Sequence, residues 1–524
     1  MFGVRWWKKV ERGASRTDSR IARHPWLSFP RGKEVSFRFN GRPVRAYEGE
    51  TVGAALHAAG VRILSRSVKY RRPRGLLCLA GNCPNCLVRV DGVPNVRACV
   101  EPLWEGLEVE TQVGWPSAQL DAFAVLDRLG FLFPLGFQYR RVIRPRRLYL
   151  LWERLLRHMA GHGALPEGGP SRRVEPRLDV GTDVAVVGGG PAGLAAARAA
   201  CAAGVRVALI DEGDELGGSL RADTARYGAP EPFRDLRGFE IAARLRGELT
   251  SRDGGLEVFR EATAFGAYEG GVIGVRQRSR VVKLTARGLI VATGAYERPL
   301  VAEDWDRPGV FLAGGVQRLL HRWGVRPGEA AAVIGTNDSG PAVAAQLLEA
   351  GVDVKALADS RVSLDEKRPD MEALRRRGVP ILTLHTLKAV RGRPCVRAVV
   401  LARIGEDGQA VPGTDLYVPC DTVVLAAGLY PANELVFHAT ARGSYMLEAS
   451  GGITRIPHRE DDMGVEDGLY VAGNAAGVGD LEKALLEGEI AGLSAALALG
   501  AGGEEAQRRR EQARAALSAR GGGV

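Results

Sequence analysis

The stretch DVAVVGGGPAGLAAARAACAAGVRVALIDEG, residues 183–213, decides the fold. Four apolar residues, 184–187, read as a buried strand that runs into the glycine series Gly188, Gly190 and Gly193 and then into an alanine-rich helix. A second apolar run ends at Asp211. Each part has a physical task. Gly188 permits the tight turn, Gly190 lets the backbone approach a pyrophosphate, Gly193 allows close packing of the helix, and the first N–H groups of that helix attract the anion. Pro191 and Ala192 lie in the same turn and complete the candidate contact set. Asp211 follows Gly193 by eighteen residues, where a carboxylate at a strand end accepts hydrogen bonds from ribose hydroxyls. The stretch predicts a Rossmann-like unit for a dinucleotide or a related adenine nucleotide.

Two later segments read as the return of the same unit. GLIVATGAYERP (288–299) is a buried strand ending at Thr293-Gly294, and GLYVAGNAAGVGDLEKALLEGEIAG (468–492) is a strand, a loop containing Gly473 and Asn474, and a helix. Between them, AAVIGTNDSGPAVAAQLLEAGVDVKALADS (331–360) repeats the fingerprint imperfectly: Gly335 and Gly340 keep their places, but Asn337 stands where the central glycine belongs. A side chain there crowds a pyrophosphate. A second Rossmann-like domain inserted in the first is expected. Its site is either a live nicotinamide nucleotide site, with Asp359 facing a ribose, or a relic in a fold kept for packing or subunit contacts.

The N-terminal part carries a different signal. CLAGNCPNCLVRVDGVPNVRAC (78–99) holds four of the seven cysteines, with four residues between Cys78 and Cys83, two between Cys83 and Cys86, and twelve between Cys86 and Cys99. This is the C-x4-C-x2-C…C arrangement of plant-type 2Fe-2S clusters. Structural zinc more often uses two separated pairs, and here the middle cysteine would have to serve both. Gly81, Pro84 and Asn85 suit the sharp turns that bring amide groups toward cluster sulfurs. Upstream, VSFRFNGRPVRAY (35–47) alternates on both sides of Asn40-Gly41 as a hairpin does, and EGETVGAALHAAG (48–60) has a capping Thr51, helical spacing and a terminating Gly60. Strand, strand, helix and cysteine loop is a ferredoxin-like order. Cys201, Cys395 and Cys420 are scattered and read as core residues.

The remainder of the chain bounds the function. At 524 residues and 45% apolar content it fills several cores. Lys and Arg outnumber Asp and Glu by 72 to 61, giving a net charge of +11, with the excess gathered at RWWKKVERGASR, KYRRPRG, YRRVIRPRR and AQRRREQAR. Basic surface suits anionic cofactors, acidic partners, membranes or nucleic acid, but no nucleic-acid recognition motif accompanies it. The N-terminus is basic without a sustained apolar run, which points to the cytoplasm rather than secretion. The aromatic run over 129–155 is broken by Pro134, Arg140, Arg141, Arg144, Pro145, Arg146 and Arg147, so it is too interrupted to span a bilayer. It reads as a linker packed on its own domains or as a docking surface for another subunit. The expected organisation is a basic extension over 1–30, a β-grasp ferredoxin-like domain over 31–116, a connecting region over 117–178, a first dinucleotide-binding domain over 179–300 and 416–500, an inserted second one over 301–415, and a basic tail over 501–524. Both basic ends are expected to be solvated.

The segments 288–299 and 468–492 resemble the closing motifs of the pyridine nucleotide-disulfide reductases. That resemblance implies FAD at the first site, although the family usually has Asp where this chain has Asn474; NAD and ATP are the alternative occupants. SRSVKYRRPRG (65–75), GVPNVRA (92–98), GWPS (114–117) and FLFPLGFQYR (131–140) are more specific. They look like the alpha subunit of heterotetrameric sarcosine oxidase and of its relatives, the multi-subunit dehydrogenases of proline, hydroxyproline and opines and hydrogen cyanide synthase, over about residues 31–500. Typical sarcosine oxidase alpha subunits have lost the cluster cysteines, whereas all four are present here. They also continue into a folate-binding domain, whereas the sequence stops at Val524, which makes sarcosine itself a less expected substrate.

The resemblance implies an electron-transfer and nucleotide-binding alpha subunit of a flavin-dependent amine or amino-acid dehydrogenase. It further implies an FAD-containing beta subunit that oxidises the C–N bond, an FMN at the subunit interface and a downstream electron carrier. No acid or base is nominated in this chain, since none of its eight histidines falls in a catalytic setting. The competing readings are a self-contained FAD-dependent NAD(P)H oxidoreductase with the cluster as outlet, and a non-redox scaffold.

Overall fold

The computed structural model describes residues 18–67, 69–127, 144–160, 175–250, 255–447 and 453–520. The chain divides into two compact units, one of Met1–Pro170 with Glu297–Gly428, the other of Ser171–Tyr296 with Leu429–Val524.

The first unit opens on a five-stranded sheet in the order Arg42–Tyr47, Glu34–Phe39, Glu108–Glu110, Leu87–Val90, Val93–Arg97. The expected hairpin forms with Glu34 opposite Tyr47 and Phe39 opposite Arg42, and both turn residues take positive φ, 49° at Asn40 and 77° at Gly41. Val35, Phe37 and Phe39 alternate inward, and the helix Val52–Ala58 is buried along its whole length. The Thr51 side chain caps it by accepting the Ala54 N–H. Glu34–Phe39 pairs in parallel with Glu108–Glu110, which completes the β-grasp form.

A second sheet of the same unit runs Val310–Leu312, Thr422–Ala426, Ala330–Gly335, Asp353–Asp359, Ile381–Thr383, parallel throughout. Thr422–Ala426 lies between two strands of the inserted domain and is buried at all five positions, as a central parallel strand must be. The inserted domain therefore extends past the expected limit at 415, and the chain rejoins the other unit at Leu429. Phe37, Leu56 and Val88 share one continuous core with Phe311, Leu319 and Val333, so the ferredoxin-like and inserted domains are packed as one body.

The basic string KYRRPRG is not a surface patch. Arg71 pairs with the buried Asp121 at 3.0 Å, Arg72 with Asp127, Asp304 and Asp306, and Arg74 with Asp306 at 2.7 Å; the buried Arg307 also pairs with Asp127 at 2.8 Å. The extension before Arg31 also departs from expectation where it is described. Ile21 is buried and its N–H meets the Gly324 carbonyl at 2.7 Å, while Arg20 reaches Glu50 at 2.7 Å. The run expected to dock a partner falls largely on residues 128–143, outside the described residues. Its last part opens the helix Arg146–Ala160, on which Leu148, Leu150 and Leu151 are exposed.

The second unit is built on the strand–loop–helix of residues 183–213. Leu178–Val187 lies between Val207–Ile210 and Arg280–Val291, parallel to both, and Leu469–Val471 returns to pair with Arg280–Val291. The helices Pro191–Ala202 and Leu481–Ala498 touch through backbone. A Cβ on Gly488 would stand 2.1 Å from the Ala192 carbonyl oxygen, and one on Gly492 would stand 2.3 Å from that of Ala196. The C-terminal segment is a helix, Gly503–Ala519, rather than a solvated tail: Ala506 joins Ala199 and Leu493 in a small core, and Ala513 is buried too. Two of its arginines pair with carboxylates outside the helix, Arg509 with Glu489 and Arg514 with Asp461. Among the described residues, no helix is long and apolar enough to cross a membrane.

Candidate cluster loop and dinucleotide site

The four cysteine side chains come close to one another. The strand Leu87–Val90 follows Cys86, and Val93–Arg97 precedes Cys99; the Ala98 N–H binds the Cys86 carbonyl at 3.1 Å, which draws the third and fourth cysteines together. The helix Val52–Ala58 presses on the same point, since a Cβ on Gly53 would lie 2.9 Å from Cys99 Cα. Cys78 and Cys83 Sγ atoms are 3.3 Å apart, and Cys99 is in hydrogen-bond contact with both Cys78 and Cys86. Three of the four are buried, with Cys83 half-buried. The Ala80 N–H points at Cys78 Sγ at 3.5 Å.

These contacts polarise the thiols. Hydrogen bonds from Cys83 and then Cys99 hold Cys78 far below the usual thiol range, and Cys86 is lowered by Cys99. Cys83 and Cys99 are raised in turn, chiefly by their hydrogen bonds to Cys78 and, for Cys99, to Cys86, then by burial, and after these by the charge of a neighbouring thiolate. Among the described residues no group of three or more His, Cys, Asp or Glu side chains is set up for a single metal ion. The fit to a binuclear cluster rests on the donor set: four thiols gathered at one site, three of them buried, with the Ala80 amide aimed at sulfur, all four of the right softness. Cys395 and Cys420 lie elsewhere in the first unit as ordinary thiols, Cys420 pushed up to about 12 by burial.

In the second unit the glycine loop has the geometry that the fingerprint asks for. Gly188 takes φ 108°, and a Cβ there would collide with the Ala292 carbonyl oxygen at 2.2 Å; a Cβ on Gly193 would sit 1.8 Å from the Gly188 oxygen. Gly190 precedes the helix Pro191–Ala202, with Pro191 at its first position, leaving the N–H groups of the first turn directed outward. Asp211 stands at the strand end as expected, but its oxygens accept the Gly189 N–H at 2.6 Å and the Gly213 N–H at 2.7 Å. Burial pushes its carboxyl up against the pull of those two donors. Its first task is thus to hold the loop.

Thr293 Oγ1 donates to the Ala432 carbonyl, and the Ala432 N–H returns to Gly294 at 3.0 Å. Asn474 Oδ1 accepts the Gly479 N–H at 3.0 Å and so shapes the loop after Gly473. The sequence reading missed Glu487. Fully buried on the helix Leu481–Ala498, it accepts the Gly473 N–H at 2.8 Å and pairs with Arg459 at 2.8 Å. The signal that could have found it is an acid set between Leu486 and Gly488, on the helix stretch whose Gly488 and Gly492 pack against the helix Pro191–Ala202.

The second fingerprint is filled by its own side chains. Asn337 Oδ1 accepts from the Ser339 N–H at 3.0 Å and its hydroxyl at 2.5 Å, at the start of the helix Ser339–Glu349. Asp338 carries a carboxylate at that same helix start, held by Arg361 at 2.6 Å and Arg368 at 2.8 Å and lowered chiefly by Arg361. Asp359, with no exposed surface, accepts from the backbone N–H, Nε and Nη2 of Arg361 rather than standing open to a ribose. Gly335 and Gly340 pack closely, a Cβ on Gly340 falling 3.1 Å from Gly335 Cα.

Residues 182–515 match the family model described as pyridine nucleotide-disulphide oxidoreductase. The chain belongs to that oxidoreductase family. Residues 32–114 match a second model, a 2Fe-2S iron-sulfur cluster binding domain. This oxidoreductase chain is 34% identical over 478 residues to the sarcosine oxidase subunit alpha of Rhizobium meliloti, covering 87% of the chain and 45% of that protein. It is 27% identical over 347 residues to the hydrogen cyanide synthase subunit HcnB of Pseudomonas protegens, 62% of the chain and 73% of that subunit. The chain thus spans less than half the length of the sarcosine oxidase subunits it matches. The fold is that of L-proline dehydrogenase from P. horikoshii, at a TM-score of 0.64, 21% identity and coverage of 95% and 79% of the two chains. Despite the family name, residues 171–296 and 429–524 contain a single cysteine, Cys201, so no thiol pair accompanies the first dinucleotide loop.

Proposed function

We propose that this chain is the electron-transfer and nucleotide-binding subunit of a multi-subunit dehydrogenase or oxidase that acts on the C–N bond of an amine or amino acid. The four cysteines gathered at one site, three of them buried, are the observation that carries the proposal. Relatives named as subunits of sarcosine oxidase, opine oxidase and hydrogen cyanide synthase support the substrate class and the need for a partner. When bound, a 2Fe-2S cluster supplies one-electron transfer and a flavin supplies the junction between one- and two-electron chemistry. Cys78, Cys83, Cys86 and Cys99 would hold the cluster. Gly188, Gly190, Pro191, Ala192 and Gly193 would cradle the pyrophosphate of FAD, with Thr293, Gly294, Gly473 and Asn474 closing the loop around it. The C–N bond is broken in a partner subunit with its own FAD, an FMN belongs to the interface between them, and a separate carrier takes the electrons onward.

In the inserted domain, Asn337 occupies the Ser339 N–H and Asp338 sets a carboxylate at the start of the helix, which disfavours a self-contained NAD(P)H reductase. The ligand assignment is tested by Cys83→Ser. The variant is expected to lose iron and the paramagnetic signal of the reduced protein while retaining its bound nucleotide; unchanged iron content would contradict it.

A further inference from the structure

The helix Ala313–His321 of the inserted domain is pressed onto the cluster loop at Leu77 and Cys78. Its preceding residue, Leu312, donates its N–H to the Leu77 carbonyl at 3.0 Å. A Cβ on Gly315 would stand 2.5 Å from that carbonyl oxygen and 3.2 Å from the Cys78 carbonyl, so only glycine allows the first turn to come so close. Arg318, further along the same helix, donates Nη1 to the Cys78 carbonyl at 3.2 Å. Its partner is Glu297, whose Oε2 lies 3.6 Å from that guanidinium and whose Oε1 accepts the Gly314 N–H at 2.5 Å. Both side chains are shielded, at 27% and 16% exposure, so their charges are screened far less than those of surface groups. Arg97, whose stem lies near Gly81, is exposed to solvent.

We propose that Arg318, oriented by Glu297, is the residue that sets the reduction potential of the cluster. It is a positioning residue: it touches a ligand's backbone and not the iron. The inference rests on the assignment of Cys78 as a cluster ligand. A binuclear cluster with four thiolates is a dianion when oxidised and gains a third negative charge on reduction. A fixed, poorly screened cation beside one ligand stabilises the reduced form more than the oxidised form and raises the potential. Glu297 holds the guanidinium against the loop and offsets part of its charge. The two residues therefore act with opposite sign, which a purely structural role does not predict.

The test is a redox titration of the full-length, iron-loaded chain followed by the paramagnetic signal, with iron content measured in parallel. Arg318→Met should shift the midpoint to lower potential, and Arg318→Lys, which keeps the charge but not the planar fork, should shift it less. Glu297→Gln keeps an acceptor for the Gly314 N–H but removes the negative charge, and should shift the midpoint upward. Arg97→Met removes an exposed charge at the end of the strand before Cys99 and should shift it least. If Arg318→Met fails to retain iron, the opposite shifts of Arg318→Lys and Glu297→Gln still decide the matter. An unmoved midpoint in iron-replete Arg318→Met, shifts of one sign in both partners, or an Arg97→Met shift as large as that of Arg318→Met would overturn the proposal. Absence of iron from the unaltered protein would instead refute the ligand assignment on which it rests.

Discussion

Glu487 shows how a single buried charge supports a loop that never touches it in sequence. Its two oxygens serve different masters: Oε2 fixes the Gly473 N–H and Oε1 neutralises Arg459, at 2.8 Å each. Replacing Glu487 by Leu leaves Arg459 uncompensated and the Gly473 amide unpaired inside the core. Removing one partner of a buried pair costs about 3–5 kcal/mol, and urea unfolding of Glu487→Leu should show a loss of that order. A loss within the ordinary range of surface substitutions would contradict the role. At this scale the sequence was legible where chemistry is local. The cysteine spacing and the glycines at 188, 190 and 193 could be singled out because each set is a short run with fixed spacing, even though Gly188 answers to the distant Ala292 carbonyl. It was illegible where partners are remote: the arginines of KYRRPRG looked like surface charge because their carboxylates at Asp304 and Asp306 lie more than two hundred positions along the chain.

Two glycine loops of the same strand–loop–helix type end differently. In one, the helix Pro191–Ala202 begins behind Gly190, a cap position without a side chain. In the other, Ser339–Glu349 begins behind Asn337 and Asp338, and Arg361 bridges Asp338 to Asp359. An anion approaching the second helix meets a carboxylate where it needs bare N–H groups. NADH added anaerobically should therefore leave the flavin absorbance of the isolated chain unbleached, as followed by stopped-flow spectroscopy; rapid bleaching would show that the inserted domain delivers hydride. Asn337 could be read from sequence as an obstacle. Arg361 could not, since nothing local marks a bidentate grip on an acid two residues away. The helix Gly503–Ala519 was hidden for another reason. Its string of Arg and Glu reads as solvated, and only Ala506 and Ala513, seven residues apart, betray the narrow face that it buries.

At the scale of the whole molecule, the order of a β-grasp domain followed by two Rossmann-like domains, one inserted in the other, was legible because each is announced by a local fingerprint. The limit of the insertion was not. Thr422–Ala426 and the return strand Leu469–Val471 are both short apolar runs, and which sheet each completes is decided by pairing, not by composition. The proposed division of labour is one cluster in the unit that contains Cys78 and one dinucleotide in the unit that contains Gly188, with none at the second glycine loop. Native mass spectrometry of the purified chain tests this most directly, since it weighs every bound group at once. The expected mass is the polypeptide plus one 2Fe-2S cluster and one FAD. A chain carrying zinc in place of the cluster, or two dinucleotides, would contradict the account.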